Sequence, residues 1–146
     1  MKLNVRRTFT TTTPPGPVFD YLADFRNTTT WDPGTVSCSL LGSSVEAGAT
    51  YRNTSRFLGR ETVLTYTTVT HQPPTRLHFR GVNESFVGDD RLSFAPDGTG
   101  TRVGYHATFE LSGAAALAAP VVAVYLPFLA SKTVKQLRET LDGLTV

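Results

Sequence analysis

The chain of 146 residues is 40% hydrophobic and 18% charged, a size and composition that fit one domain with its own core. Its 14 Lys and Arg against 12 Asp and Glu leave a net charge of +2. That balance excludes a charge-driven function and, with Arg6-Arg7 as the longest basic run, predicts no nucleic-acid partner.

The N-terminal MKLNVRRTFTTTT carries no apolar run of the secretory kind, which makes the cytoplasm the expected location. Leu3, Val5 and Phe9 fall at even spacing and predict a strand over 3–12, stopped by Pro14-Pro15-Gly16-Pro17. Val18, Phe19, Leu22 and Phe25 then recur at helical spacing, with Pro17 suited to a first turn, so a short helix is expected to about Asn27. Extended segments are expected at 35–41, 51–57, 60–70, 76–82, 86–94 and 102–111. The turn signals between them include Leu58-Gly59 as a two-residue hairpin, Gln72-Pro73-Pro74-Thr75, and Pro96-Asp97-Gly98-Thr99-Gly100. The single cysteine, Cys38, excludes an internal disulfide, and the three histidines share no ligand spacing, so neither metal nor cofactor is expected.

From 114 to 130 the chain is apolar, interrupted by Pro120 and Pro127. That length is the lower limit of a membrane span, and a core helix with no stable membrane insertion is the expectation. Val134, Leu137, Leu141 and Leu144 continue as one stripe. The C-terminal helix should then approach thirty residues, about 45 Å at 1.5 Å each, with its first half kinked or interrupted by the prolines.

Consecutive hairpins predict a meandering antiparallel sheet in an α+β domain, whose apolar face only the C-terminal helix is long enough to cover. A sheet curled around that helix would enclose a space. Closing the hairpin at Phe57 and Arg60 sets Ser55 opposite Thr62, Asn53 opposite Leu64 and Tyr51 opposite Tyr66, all inward. Arg52, Arg56, Glu61 and Thr65 then face water, and Val69, which fits the outer parity poorly, predicts an irregularity. The same alternation turns Phe79, Asp90, Phe94, Tyr105 and Phe109 inward. It turns His78 and His106 outward, leaves His71 in a loop, and offers Arg7 to Asp90 as a cross-sheet ion pair. Polar groups among inward rings either satisfy one another or line a solvated or ligand-filled space, because each buried without a partner costs about 1–3 kcal/mol.

Phe19-Asp20-Tyr21-Leu22-Ala23-Asp24-Phe25 followed by Trp31-Asp32-Pro33-Gly34, then Arg56-Phe57-Leu58-Gly59-Arg60, form the first part of a longer pattern. Gln72-Pro73-Pro74-Thr75-Arg76-Leu77 and Phe94-Ala95-Pro96-Asp97-Gly98-Thr99-Gly100-Thr101 complete it. In order and spacing these segments resemble the START/Bet v 1-like superfamily, in particular its bacterial polyketide cyclase/dehydrase branch. The resemblance runs across nearly the whole chain and implies a single domain over 1–146. It also implies the helix-grip fold, a seven-stranded antiparallel sheet wrapped around a long C-terminal helix, with two short helices after the first strand and a cavity for hydrophobic molecules.

The leading expectation is binding of a small hydrophobic ligand, a lipid or polyketide, by a carrier or sensor. Trp31, Tyr51, Asn53, Ser55 and Tyr66 are expected to line its site, with Phe79, Phe94, Tyr105 and Phe109 across from them and Tyr125 and Phe128 contributed by the helix. The alternative is a polyketide cyclase or aromatase in which Asp90, Tyr66 or Tyr105 assists proton transfer. A third is an interaction protein whose cavity is filled. The oligomeric state stays open.

Overall fold

The structure, a computed structural model, describes residues 2–145. The chain runs β1 (Lys2–Thr11), α1 (Pro15–Ala23), a 3-10 turn (Phe25–Asn27), α2 (Thr28–Trp31) and β2 (Thr35–Leu40). It continues through β3 (Thr50–Phe57), β4 (Arg60–Gln72), β5 (Arg76–Val82), β6 (Phe86–Asp97) and β7 (Gly100–Leu111). A 3-10 segment (Gly113–Ala118) then leads into α3 (Ala119–Asp142). All seven strands form one antiparallel sheet in the order β1-β7-β6-β5-β4-β3-β2, which leaves β1 and β2 as its edges. With α3 laid along β1, this is the helix-grip arrangement.

The β3–β4 register follows the expected hairpin from Phe57↔Arg60 to Tyr51↔Tyr66. Leu58 and Gly59 have φ of 50° and 80°, the two positive values that a turn matched to strand twist requires. Gly59 adopts this freely, whereas Leu58 carries a Cβ into the left-handed region and is half exposed. Leu58→Asn, which tolerates that region better, is expected to raise stability by about 1 kcal/mol. A thermal midpoint equal to or below that of the parent protein would contradict the strain.

The irregularity anticipated near Val69 is a register shift between Thr68 and Thr70. It reverses the parity of the strand end. His71 therefore lies within β4 instead of a loop, faces Leu77, and sets its ring edge-on to Phe19 at 5.1 Å. The β6–β7 joint is also tighter than expected. Asp97 pairs with Gly100 across a two-residue turn, and Pro96 is tolerated within β6 because it lies beyond the last β5 pair, Arg76↔Ser93.

The helix α3 has two unlike halves. Leu137 and Leu141 are fully buried against Phe9, Val18, Phe19 and Phe94, with Val134 and Leu144 packed beside them. The Thr11 hydroxyl and the Thr12 amide donate to the Asp142 carboxylate at 2.6 and 3.0 Å, and the buried Thr13 hydroxyl donates to the Leu141 carbonyl. This clasp holds the helix end to the turn after β1. In the first half only Ala119, Leu126 and Ala130 are buried, the last two against Val5. The stretch expected to be a core helix is thus core on one face and bare on the other. Pro120 sits in the first helical turn, where it has no hydrogen bond to lose, and α3 continues through Pro127 without a break. The departure from α-helix lies earlier, in the 3-10 segment.

Candidate functional site

The concave face is built in cross-strand rows. One row runs Leu3, Phe109, Gly88, Gly81, Tyr66, Tyr51 and Leu40; the next runs Val5, Ala107, Asp90, Phe79 and Thr68; a third runs Arg7, Tyr105, Leu92 and Leu77. The two glycines let rings lie flat on the sheet. A Cβ on Gly81 would clash with the Tyr66 ring, and one on Gly88 would press on Phe86. Gly81→Ala is accordingly expected to displace Tyr66 at a cost of about 1–3 kcal/mol. A thermal midpoint equal to that of the parent protein would show that the ring moves freely.

One end of this interior is filled. Phe25 stands over Tyr66 at 4.4 Å, Phe79 at 4.6 Å and Tyr51 at 5.8 Å between ring centroids. Phe79, Tyr51 and Trp31 are buried, and Phe94 is buried against Phe19 at 6.0 Å. The Tyr51 hydroxyl lies near the Phe25 backbone but makes no well-formed hydrogen bond. Toward the other end the lining keeps accessible surface: Asp32, Ser55, Phe57, Phe86, Asp90, Tyr105 and Phe109 are only half-buried. Phe86 and Phe109 stack at 5.7 Å, and Tyr125 from α3 meets Phe57 of the β3–β4 hairpin at 5.5 Å. The interior is thus packed with rings at one end, and the surface that stays accessible lies on these half-buried residues, not under the whole helix.

Between the neighbouring strands β6 and β7 the Tyr105 hydroxyl donates to Asp90 Oδ1 at 3.1 Å, and Trp31 stands edge-on to Tyr105 at 6.4 Å. Burial, reinforced by the charge of Asp32, raises the Asp90 carboxyl to about 7 in spite of the Tyr105 hydrogen bond. Burial also lifts Asp32, although the Gly34 amide at 3.1 Å and the Thr35 hydroxyl at 2.9 Å stabilise its carboxylate. Burial, then the Asp90 and Asp32 charges, pushes Tyr66 and Tyr105 well above the usual phenol range. Two phenols that stay protonated thus share an interior with two carboxyls that ionise reluctantly.

Two expectations change here, for Arg7 and for Phe128, and for Asn53 and Ser55 one of the two expected courses is taken. Asp90 takes Tyr105, not Arg7, as its partner; Arg7 instead donates to the Arg6 carbonyl at 3.0 Å. Asn53 and Ser55 satisfy each other, with Ser55 donating to Asn53 Oδ1 at 2.6 Å and Asn53 reaching Thr35 at 3.4 Å. Phe128 is 71% exposed and is not brought to the site. Asp32, whose charge acts on Asp90, is not among the expected lining residues, and its place directly after Trp31 is the signal the sequence offers.

On the convex face His78 and His106 point outward, but neither is bare. His78 Nε2 lies 2.7 Å from Asp89, which also accepts from Arg80 at 3.0 Å. Burial works to raise Asp89, yet the Arg80 and His78 hydrogen bonds outweigh it and hold the carboxyl low. His106 is lowered by burial and by the Arg6 and Arg91 charges.

Solved structures of the same architecture cover almost the entire chain. A START superfamily protein from Mycobacterium smegmatis superimposes with a TM-score of 0.80 at 16% identity, covering 97% of this chain and 99% of that one. A protein from Thermus thermophilus gives 0.78 at 20% identity over 95% and 97%, and the Zhui aromatase/cyclase from a Streptomyces species gives 0.75 at 15% identity over 98% and 93%. At such identities the likeness is one of fold. No curated protein matches. The family described as polyketide cyclase / dehydrase and lipid transport matches residues 2–145. A match over that span, on this sheet and helix, makes the chain a member of that family within the START/Bet v 1 superfamily.

Proposed function

We propose that the concave face binds a small, largely apolar carbonyl compound of the polyketide kind, and that Asp90 moves protons on it. The observation that carries this reading is the Asp90–Tyr105 hydrogen bond on the concave face between β6 and β7, on a carboxyl whose pKa is raised to about 7. A carrier needs rings and a polar rim; a buried carboxyl paired only with a neutral phenol adds nothing to transport and costs stability when it ionises. As a carboxylate, Asp90 takes a proton from a carbon between two carbonyls, and the electron pair moves onto a carbonyl oxygen as an enolate. Tyr66, held protonated, donates a hydrogen bond to that oxygen, while the Tyr105 hydroxyl keeps its bond to Asp90. Asp90, now neutral, returns the proton to carbon or to a departing oxygen.

Plain binding, as carrier or sensor, is the second reading. It is favoured by the mutual bonding of Asn53 and Ser55, which leaves rings to make most of the ligand contact. Hydrogen–deuterium exchange at the central carbon of an apolar 1,3-diketone separates the two. Faster exchange with the parent protein than with Asp90→Asn, at equal binding by fluorescence titration, supports proton transfer. Equal rates at equal binding leave a carrier.

A further inference from the structure

Between Glu110 and Glu139 the chain has no acidic residue, and from Ser112 to Ser131 it has no charge at all. Within that stretch Val121 is 58%, Val124 72% and Phe128 71% exposed, and Leu117, in the preceding 3-10 segment, is 84% exposed. At 100° per residue Val121, Val124 and Phe128 lie within about 60° of one another on α3, and Lys132 and Lys135 continue the same strip. The solvent face of the helix therefore changes from apolar to basic after Ser131.

From this pattern we infer that the first half of α3 docks peripherally on an anionic lipid surface, with the apolar strip among the acyl chains and Lys132 and Lys135 at the headgroups. Length and composition alone would let the helix cross a membrane. The burial of Thr133, Leu137 and Leu141 rules out that reading for the folded protein, because spanning would pull them from the core. A second copy fits the strip less well. Four side chains at roughly 100 Å² each bury about 800 Å² over both partners, below the ~1,200 Å² of a stable interface. A parallel pairing would also set lysines against lysines, and an antiparallel one would set them against apolar side chains. The inference is independent of what the interior binds.

Sedimentation with vesicles of phosphatidylcholine, with and without a one-third share of phosphatidylglycerol, tests it. Binding to the anionic vesicles should be at least about tenfold tighter than to the neutral ones. Phe128→Glu should weaken it about tenfold or more, and the double variant Lys132→Glu, Lys135→Glu should remove the preference for anionic lipid. These side chains are exposed, so all variants should keep the parent thermal midpoint. Absence of binding to anionic vesicles, binding undiminished by Phe128→Glu, or equal binding to neutral vesicles overturns the inference. A dimer at micromolar concentration that Val124→Glu abolishes, without vesicle binding, overturns it in favour of a second copy.

Discussion

Asp90→Asn is expected to slow exchange at the central carbon of a bound 1,3-diketone by about 10²–10⁴-fold, the usual worth of a positioned general base, while leaving the dissociation constant within a few-fold. The parent rate should climb as pH rises through about 7 and level off above it, because the base is the ionised form and its pKa lies there. The same substitution has a signature in stability. A carboxyl whose folded pKa exceeds its ordinary 3.8 contributes stability that is complete below about pH 4 and lost as pH rises toward 7. The gap between 3.8 and about 7 corresponds to at most ~4 kcal/mol, and partial access of water to Asp90 reduces this to roughly 2 kcal/mol. The Asn variant carries no charge to desolvate, so it should be the more stable protein at pH 8 and nearly equal to the parent at pH 4. Asp89 and Asp142, held below the usual range, act in the opposite sense and only below about pH 4, so the two windows do not overlap. Equal thermal midpoints for parent and variant at pH 8 would mean that Asp90 is solvated, and the case for it as a base at neutral pH would fall with them.

The concave face was legible wherever strict alternation and a short turn fixed the register. Leu58-Gly59 sets the pairing of Tyr51 with Tyr66, and the even spacing of Asp90 with Phe94 and of Tyr105 with Phe109 places each on the correct side. Legibility ended where a local device overrode alternation. The shift at Val69 was foreseen, but not that it would turn His71 onto Phe19. The position of Asp32 depends on a loop held by the Gly34 amide and the Thr35 hydroxyl, which no periodicity encodes. Phe128 was misplaced for a different reason. Where both faces of a helix are apolar, as from 114 to 130, hydropathy carries no phase, and only the packed structure decides which face meets the sheet.

The same asymmetry along α3 sets the largest expected change in stability. Leu137 is fully buried, packed with Leu141 into the cluster around Phe9, Phe19 and Phe94. Leu137→Ala would leave a cavity that a sheet and helix clasped at Asp142 cannot close, so a loss of about 2–5 kcal/mol is expected in urea or thermal unfolding. Nine residues earlier on the same helix Phe128→Ser, despite removing a larger apolar side chain, should change stability by less than about 0.5 kcal/mol, because that side chain gains little burial on folding. If Phe128→Ser proved as costly as Leu137→Ala, the bare face of α3 would have to be covered in solution, and the helix would grip along its full length. If Leu137→Ala were mild, the C-terminal half would not be the anchor, and the clasp of Thr11, Thr12 and Thr13 on the helix end would have to hold α3 with little help from the core.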